Sequence, residues 1–321
     1  MNVVDKLASS LISIIDIARL APSVHNTQPW RVKLLDDSLI VSVDSEHTLL
    51  DGDPTGRQTV ISLGIFCEAL VIAAQTEQLG LKELTFDTSN VTLQFELIAS
   101  NPASIELARL LAFRHSDRSI YTPTKLSADA IHTLKQSVTD TDVKVWVISN
   151  QNHIRLIADL TSRGISLALS SPNFRHELTN YIVRAGSKKA RGISVKSLYL
   201  SPILTALQPR LLKSGTGLAR EAELEKRRWT DVSADIILTT PGDMPKYWFK
   251  TGRSYLQLSL TIAGLGLAQA TSAAIVEASN YHDDIEAILQ TDQRILALLR
   301  VGNGSNRHYH SPRISSKEIL R

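Results

Sequence analysis

Apolar residues return at helical spacing through Leu7, Leu11, Ile14, Ile15 and Ala18, which predicts a first helix over residues 1 to 20. A loop follows over 21 to 29. Pro22 disfavours helical geometry at the residue before it, and Pro29 is expected to hold Gln28 extended. Trp30 to Leu35 and Leu39 to Val43 read as the two strands of a hairpin, and Asp51-Gly52-Asp53-Pro54-Thr55-Gly56 as a turn. From Arg57 to Leu79 the chain is largely apolar through Val60, Ile61, Leu63, Phe66, Leu70, Val71 and Ala74. That predicts a long helix with Gly80 as its C-cap. Val91 to Ile98 alternates as a strand does, Pro102 opens a helix to Phe113, and Ser127 caps a helix over 128 to 138. Val143 to Ile148 is a strand and Asn150 to Leu169 a helix. Residues 171 to 230 hold two or three helices punctuated by Pro172, Pro202 and Pro209. Ala234 to Thr239 is an apolar strand, 247 to 266 a buried helix and Asp283 to Gln290 a short helix. Ile295 to Val301 is a last strand, ending in Gly302-Asn303-Gly304. The fold class is α+β.

The order of elements contains an echo. Leu35 to Val43, then Thr55-Gly56-Arg57, then a long apolar helix ending Leu79-Gly80, resembles Ile236 to Thr239, then Thr251-Gly252-Arg253, then a long apolar helix ending Leu265-Gly266. The helices differ in length, so a true repeat and a chance likeness both stand at this point.

Composition narrows the class. With 321 residues, 43% hydrophobic and 21% charged, the chain has room for a large core and the balance of an ordinary globular protein. One cysteine excludes an intramolecular disulfide and any multi-cysteine metal site, and Cys67 sits mid-helix as a small hydrophobe. The N-terminus carries Asp5 and Lys6 and lacks a signal-peptide pattern, so the cytoplasm is the default compartment. Ser254 to Val276 carries no charge. Gln257, Gln269 and the glycines either side of Leu265 make it read as a buried helix plus a loop rather than a membrane span. Net charge is +3, too small to argue for nucleic acid. Its distribution says more: residues 171 to 230 hold twelve Lys/Arg and four Glu, a local +8 that leaves −5 for the rest. Such a patch attracts an anion such as phosphate, or is simply a solvated face.

Two stretches concentrate chemistry. Ala21-Pro22-Ser23-Val24-His25-Asn26-Thr27-Gln28-Pro29-Trp30 is a loop held at both ends by proline. It suits a flat polar ligand, or an Asn/Ser turn capped by a core tryptophan. Arg114-His115-Ser116-Asp117-Arg118 follows a helix, with Tyr121, Pro123 and a helix from Ser127 after it. There is no phosphate-loop motif, no dinucleotide Gly-x-Gly-x-x-Gly after a strand, no His-Glu-x-x-His and no Gly-x-Ser-x-Gly. His308 and His310 form a His-x-His pair without a third ligand and read as part of a mobile tail, so no metal site is expected.

The first stretch resembles the Pro-Ser-x-x-Asn-x-Gln-Pro-Trp signature of the nitroreductase family of FMN flavoproteins. The second resembles that family's Arg-x-Ser-x-Arg/Lys motif. In ordinary members the Arg-x-Ser motif comes first. Here the loop comes first, and with Asp53-Pro54-x-Gly56-Arg57 that order resembles the Acg-like subfamily. In that subfamily one chain contains both halves of what is elsewhere a dimer. The resemblance implies a nitroreductase-like fold of antiparallel-rich sheets flanked by helices, with two similar halves forming a pseudo-dimer. Residues 1–104 would carry the loop, and 105–321 the phosphate motif with 171–230 as a basic lid-like insertion.

It implies FMN, with Arg114, Ser116 and the tail's Arg313 at the phosphate and Arg118 near the ring's N1 and O2. Pro22, Ser23 and Asn26 would contact the ring, while Gln28 and Trp30 hold the loop. Ser272 and Ala273 stand nearest the backbone N–H groups that face N5, although the family's usual proline there is absent. His115 would contribute its backbone. NADPH or NADH would be a transient donor, and a small-molecule electron acceptor such as a nitroaromatic or quinone the partner. No protein acid or base is required, and neither nucleic acid nor membrane is implied. The chain would act as a monomeric pseudo-dimer or as a homodimer. A second reading is an FMN-sequestering protein whose lid, the 171–230 segment, closes over the flavin. A distant third is a nucleic-acid binder using the basic segment.

Overall fold

The structure is a computed structural model describing residues 3–35, 38–100, 105–184, 186–199, 215–278, 281–305 and 307–320. The expected helix opening at Pro102, and Pro202, Pro209, Arg210 and Lys213 of the basic stretch, lie outside the described residues.

In chain order the helices are α1 (Val3–Ala18), α2 (Arg57–Thr76), α3 (Ile105–Phe113), α4 (Ala128–Lys135), α5 (Gln151–Ser170), α6 (Pro172–Asn180), α7 (Gly215–Thr230), α8 (Pro245–Gly264), α9 (Ala274–Glu277), α10 (Tyr281–Leu289) and α11 (Ser316–Ile319). The strands are β1 (Trp30–Leu35), β2 (Ser38–Val43), β3 (Leu79–Asp87), β4 (Thr92–Ala99), β5 (Lys144–Ile148), β6 (Ile182–Val183), β7 (Ile193–Ser194), β8 (Ala234–Thr240), β9 (Ala268–Thr271) and β10 (Arg294–Gly302). Four strands pair in the order β1-β2-β4-β3 and four more in the order β5-β8-β10-β9, every pair antiparallel. β6 and β7 form a small parallel pair.

The two sheets share one plan. In each, a 20-residue helix leaves the second strand in chain order and leads to the third: α2 between β2 and β3, and α8 between β8 and β9. The helices cross at glycines. A Cβ on Gly64 would stand 2.2 Å from the Phe249 carbonyl oxygen, and one on Gly252 would stand 2.1 Å from the Ile61 carbonyl oxygen. One shift of 188 positions takes 61 to 249 and 64 to 252, so each contact is returned by its counterpart, as at a two-fold interface. This is not the Thr-Gly-Arg register expected from sequence, for Arg57 opens α2 whereas Arg253 lies in the middle of α8.

Gly80 does not cap α2. The helix stops at Thr76, Gln78 turns the chain with φ 60°, and Gly80 lies inside β3 against Ile98. The strand escapes notice in the sequence because a glycine after an apolar helix looks like a helix end.

A single core joins both sheets, running from Leu11 and Trp30 through α2 to Leu256 and Leu299. Trp30 is fully buried and stacks on Phe66 at 4.4 Å. Truncating such a residue costs about 3–5 kcal/mol. Cys67 is buried as expected, and burial pushes its thiol up. Among the described residues α2 is the one helix long and apolar enough to cross a membrane, but its most apolar stretch is 83% buried inside the protein. The chain end returns to the first sheet: Leu320 bridges Val32, and Arg31 donates to the Glu318 carbonyl at 2.9 Å.

Candidate functional site

The 21–30 loop is a constrained piece of backbone. His25, Asn26 and Gln28 all take positive φ, at 44°, 56° and 50°, a conformation that costs non-glycine residues about 1–3 kcal/mol each. Gln28 is therefore not extended as Pro29 suggested. Its N–H is held by Ser23 Oγ at 2.9 Å, its Nε2 donates to the Ala190 carbonyl, and its Oε1 accepts from Ile314 N–H. Val24 N–H is fixed by Ser62 Oγ of α2.

The loop stands between two adjoining cavities that share Pro22, Ser23, Ser116, Arg118 and Ile193. The smaller, about 50 Å³, is lined by Asn26, Arg114, His115, His310 and Arg313 besides the shared residues. No acidic side chain lines it among the described residues. Arg114 is buried, and among the described residues its Nε, the Nε of Arg313 and the Nε2 of His115 have no hydrogen-bond partner. Burial pushes the guanidinium of Arg114 down. Burial, then the charges of Arg114 and Arg19, push that of Arg313 down to about 9. Buried cations left without counter-charge are costly, and their assembly in one cleft is the signature of an anion site. Asn26 serves this cavity, not the larger one. Its Oδ1 accepts from Arg313 Nη1 at 2.9 Å, and its Nδ2 donates to the Gly192 and Pro312 carbonyls.

The larger cavity, about 540 Å³, is of the size that holds a cofactor-like ligand. Ile61, Ser62 and Ile65 of α2 form one wall, Tyr255 and residues 270–274 another. Ser272 and Ala273 both line it, but Ser272 N–H is committed to the Leu298 carbonyl, while Ala273 N–H has no partner among the described residues. His25 lines it as a neutral imidazole: burial, then the charge of Arg118, lower its pKa to about 4.

The roof comes from the 171–230 stretch: Phe174 and Leu178 of α6, and Glu221, Glu225, Arg228 and Trp229 of α7. It is fastened. The Glu177 carboxylate accepts from the N–H groups of Leu50, Asp51 and Gly52 at 2.7, 3.2 and 2.8 Å. Gly192 N–H donates to the Asn26 carbonyl and Arg191 Nε to that of Thr27.

None of the described Lys and Arg residues of this stretch lines the smaller cavity, which favours the solvated-face alternative that its composition left open. Among the described residues Arg191 pairs with Glu318 and Asp44, Lys226 with Asp159, and Arg228 with Glu225 and Glu221. Nor is the described part of the 307–310 tail adrift. His308 packs edge-on against His115, with ring centroids 4.6 Å apart.

All ten residues singled out from sequence border one cavity or the other: Asn26, Arg114, His115 and Arg313 the smaller, Ser272 and Ala273 the larger, and Pro22, Ser23, Ser116 and Arg118 both. His25, the α7 residues and Arg300 carried no sequence signal as site residues. Arg300 is buried on β10 and donates to the carbonyls of Arg228, Asp117 and Ser119, tying the roof to the Arg114–Arg118 loop.

Comparison with known proteins gives the kinship. No family model matches the chain. "Putative NAD(P)H nitroreductase Rv3131" of Mycobacterium tuberculosis is 23% identical over 301 residues, covering 92% of this chain and 85% of its own. "Putative NAD(P)H nitroreductase acg" of the same organism is 25% identical over 299 residues, covering 90% and 88%. Among solved structures, the FMN-dependent nitroreductase NfnB from Mycobacterium smegmatis in complex with NADPH is 16% identical with a TM-score of 0.44, covering 67% of this chain and 97% of its own. Over nine-tenths of its length, then, the chain is similar to proteins named putative NAD(P)H nitroreductases, Acg among them.

Proposed function

We propose that this chain is an FMN-dependent NAD(P)H oxidoreductase that reduces small aromatic acceptors of the nitroaromatic or quinone kind. The observation that carries this reading is the smaller cavity, where Arg114, Arg118 and Arg313 gather with no carboxylate among the described lining residues, beside the larger cavity with which it shares Arg118. A phosphate monoester brings close to two negative charges and suits guanidinium forks and a hydroxyl. The relatives named NAD(P)H nitroreductases support the same assignment. FMN, when bound, supplies the hydride chemistry between a nicotinamide donor and the acceptor in a ping-pong cycle.

The chain's own residues bind and orient. Arg114, Ser116 and Arg313 are assigned to the phosphate, with Asn26 aiming the Arg313 fork from behind. Arg118, which borders both cavities, is assigned to the pyrimidine edge of the ring. A fixed cation there raises the affinity for electrons. Pro22 and Ser23 form the wall between phosphate and ring. Ala273, not Ser272, is the better backbone donor toward the ring, since only its N–H is free among the described residues.

The chain is read as a pseudo-dimer of 1–104 and 105–321, supported by the shared strand order and the reciprocated Gly64–Gly252 crossing. The C-terminal tail, packed on the first sheet, crosses between halves, as do Glu177, Arg191 and Gly192. The fastened roof favours a second reading, FMN retention with little turnover, because Glu177 and Arg191 clip it to the loops beside the cavity.

An absorption spectrum of the purified protein supplied with FMN, before and after anaerobic NADPH or NADH, tests both. Flavin bands that bleach quickly and recover with a quinone support the reductase. Bands that persist with both donors support retention. Failure to bind FMN overturns both.

A further inference from the structure

We propose that His115 and His310, with His308 packed against His115, form a protonatable rim of the smaller cavity, so that a phosphate monoester dianion enters it together with protons. The proposal rests on the reading of that cavity as a phosphate site. His115 lies in the Arg114–Arg118 loop, whereas His308 and His310 come from the tail that folds back over it. The His115 and His308 Nδ1 atoms face each other at 3.4 Å. The His310 ring centroid stands 5.7 Å from that of His115. His115 and His310 line the cavity, and His115 Nε2 is buried without a partner. A neutral pair meets this spacing with one Nδ1–H donating to the other ring's Nδ1, and protonation of a ring turns its acceptor nitrogen into a further N–H donor that an anion can use.

The surrounding charges decide when that proton arrives. Against the cluster stand Arg114 and Arg313, the Phe113 carbonyl at 3.4 Å from His115 Nδ1, and the Phe113 ring beneath His308. Among the described residues the carboxylate near it is that of Asp117, which accepts from the N–H groups of Ser119 and Ser305. Tyr309 also stands on the cavity wall. Burial pushes His115 down, and burial with the Arg313 and Arg114 charges pushes His310 down. A dianion placed among the three arginines reverses the local field and raises both histidines.

The sign follows from linkage. A histidine whose pKa is higher with ligand than without it strengthens binding fully below the ligand-free value. That gain is lost as pH rises through the ligand-bound value. Phosphate monoesters lose their second proton near about pH 6, so from about pH 6.5 to 8.5 the ligand is a dianion and the histidines account for the slope.

The test is calorimetric titration of FMN into FMN-free protein at neutral pH, in buffers of different ionisation enthalpy, with riboflavin as the phosphate-free control. Uptake of about one proton with FMN and none with riboflavin is expected, with FMN affinity falling up to ~10-fold per pH unit across that window. The combined variant His115→Gln, His308→Gln and His310→Gln should abolish the uptake and flatten the slope. His308→Gln alone, at an exposed position, should lower the uptake without disturbing the fold. FMN binding with no proton uptake, or uptake that survives in the combined variant, overturns the rim. Protein that binds no FMN at any pH overturns the phosphate reading itself, and the rim with it.

Discussion

The two long helices meet at one crossing and feed sheets of one plan, yet their outer flanks hold opposite contents. On α2, Gln58, Ile61, Ser62 and Ile65 border the larger cavity. The same shift of 188 that relates the crossing glycines puts Lys246, Phe249, Lys250 and Arg253 at the matching places on α8. There Phe249 meets Phe86 at 4.6 Å, Arg253 pairs with Glu68 and Glu83 at 2.8 and 3.2 Å, and Lys250 pairs with Asp142 and Asp140. One flank is filled by an aromatic pair and compensated charge. The other leaves space and, beside it, arginines without carboxylates. The site lies where this frame leaves its charges unpaired, and the filled flank shows that the frame itself does not require the gap.

The shared part of the comparison breaks first at the crossing. Gly252→Ala forces a methyl into the Ile61 carbonyl, backbone against backbone, so neither helix can yield by rotating a side chain. We expect a loss of about 3 kcal/mol or more, read as a fall in thermal or denaturant midpoint. Gly64→Ala should cost a similar amount, because its contact is the mirror of the first. Unequal costs would mean that the two-fold relation is only apparent.

The difference between the flanks is sharpened by Arg114→Ala. The variant removes a buried cation that has no carboxylate partner among the described residues, so the FMN-free protein should melt at a higher temperature than the parent. FMN affinity should fall about 100-fold, close to 2.7 kcal/mol. Opposite signs in the two measurements are the mark of a binding residue held at a cost to stability. A loss in both would make Arg114 a structural residue.

How far the sequence discloses this depends on the reach of each interaction. Helix α2 is legible because it is apolar on every face, and the 21–30 loop because prolines bracket it. The Arg114–Arg118 motif is legible because its residues act within five positions of one another. β3 is hidden by Gly80 and by the exposed Lys82, Glu83 and Thr85, which blur its alternation. The basic stretch misleads for another reason. Its net +8 is real, but Asp44 and Glu318, far away in sequence, neutralise Arg191, and Asp159 of α5 pairs with Lys226. Cancellation between distant residues has no local signature, and neither has the placement of His25 or Arg300.

Asn26→Ala probes the loop with a smaller effect. It deletes the acceptor that aims Arg313 and the two bonds to the Gly192 and Pro312 carbonyls. Each lost bond is worth about 0.5–1.5 kcal/mol, and the positive φ at this position disfavours alanine further. We expect FMN to bind about 10-fold more weakly, with faster release because one of the two roof contacts through Gly192 is gone while its backbone bond to the Asn26 carbonyl remains. Unchanged FMN affinity measured by fluorescence would remove Asn26 from the phosphate site.

The filled flank supplies the last and smallest effect. Phe86→Ala removes half of the aromatic pair from a half-buried position, so about 1–2 kcal/mol of stability should be lost. Opening that space should not admit a second flavin. The arginines nearby are already matched: Arg253 to two glutamates and, across the crossing, Arg57 to Asp243 and Glu277. A dianion arriving there would have to displace a carboxylate before gaining a cation. Flavin counted spectroscopically per chain should therefore stay at about one in the parent and in the variant, whatever the FMN concentration used. Two flavins in the variant would show that shape alone separates the flanks. One flavin in both would show that the separation is made by where the counter-charges stand.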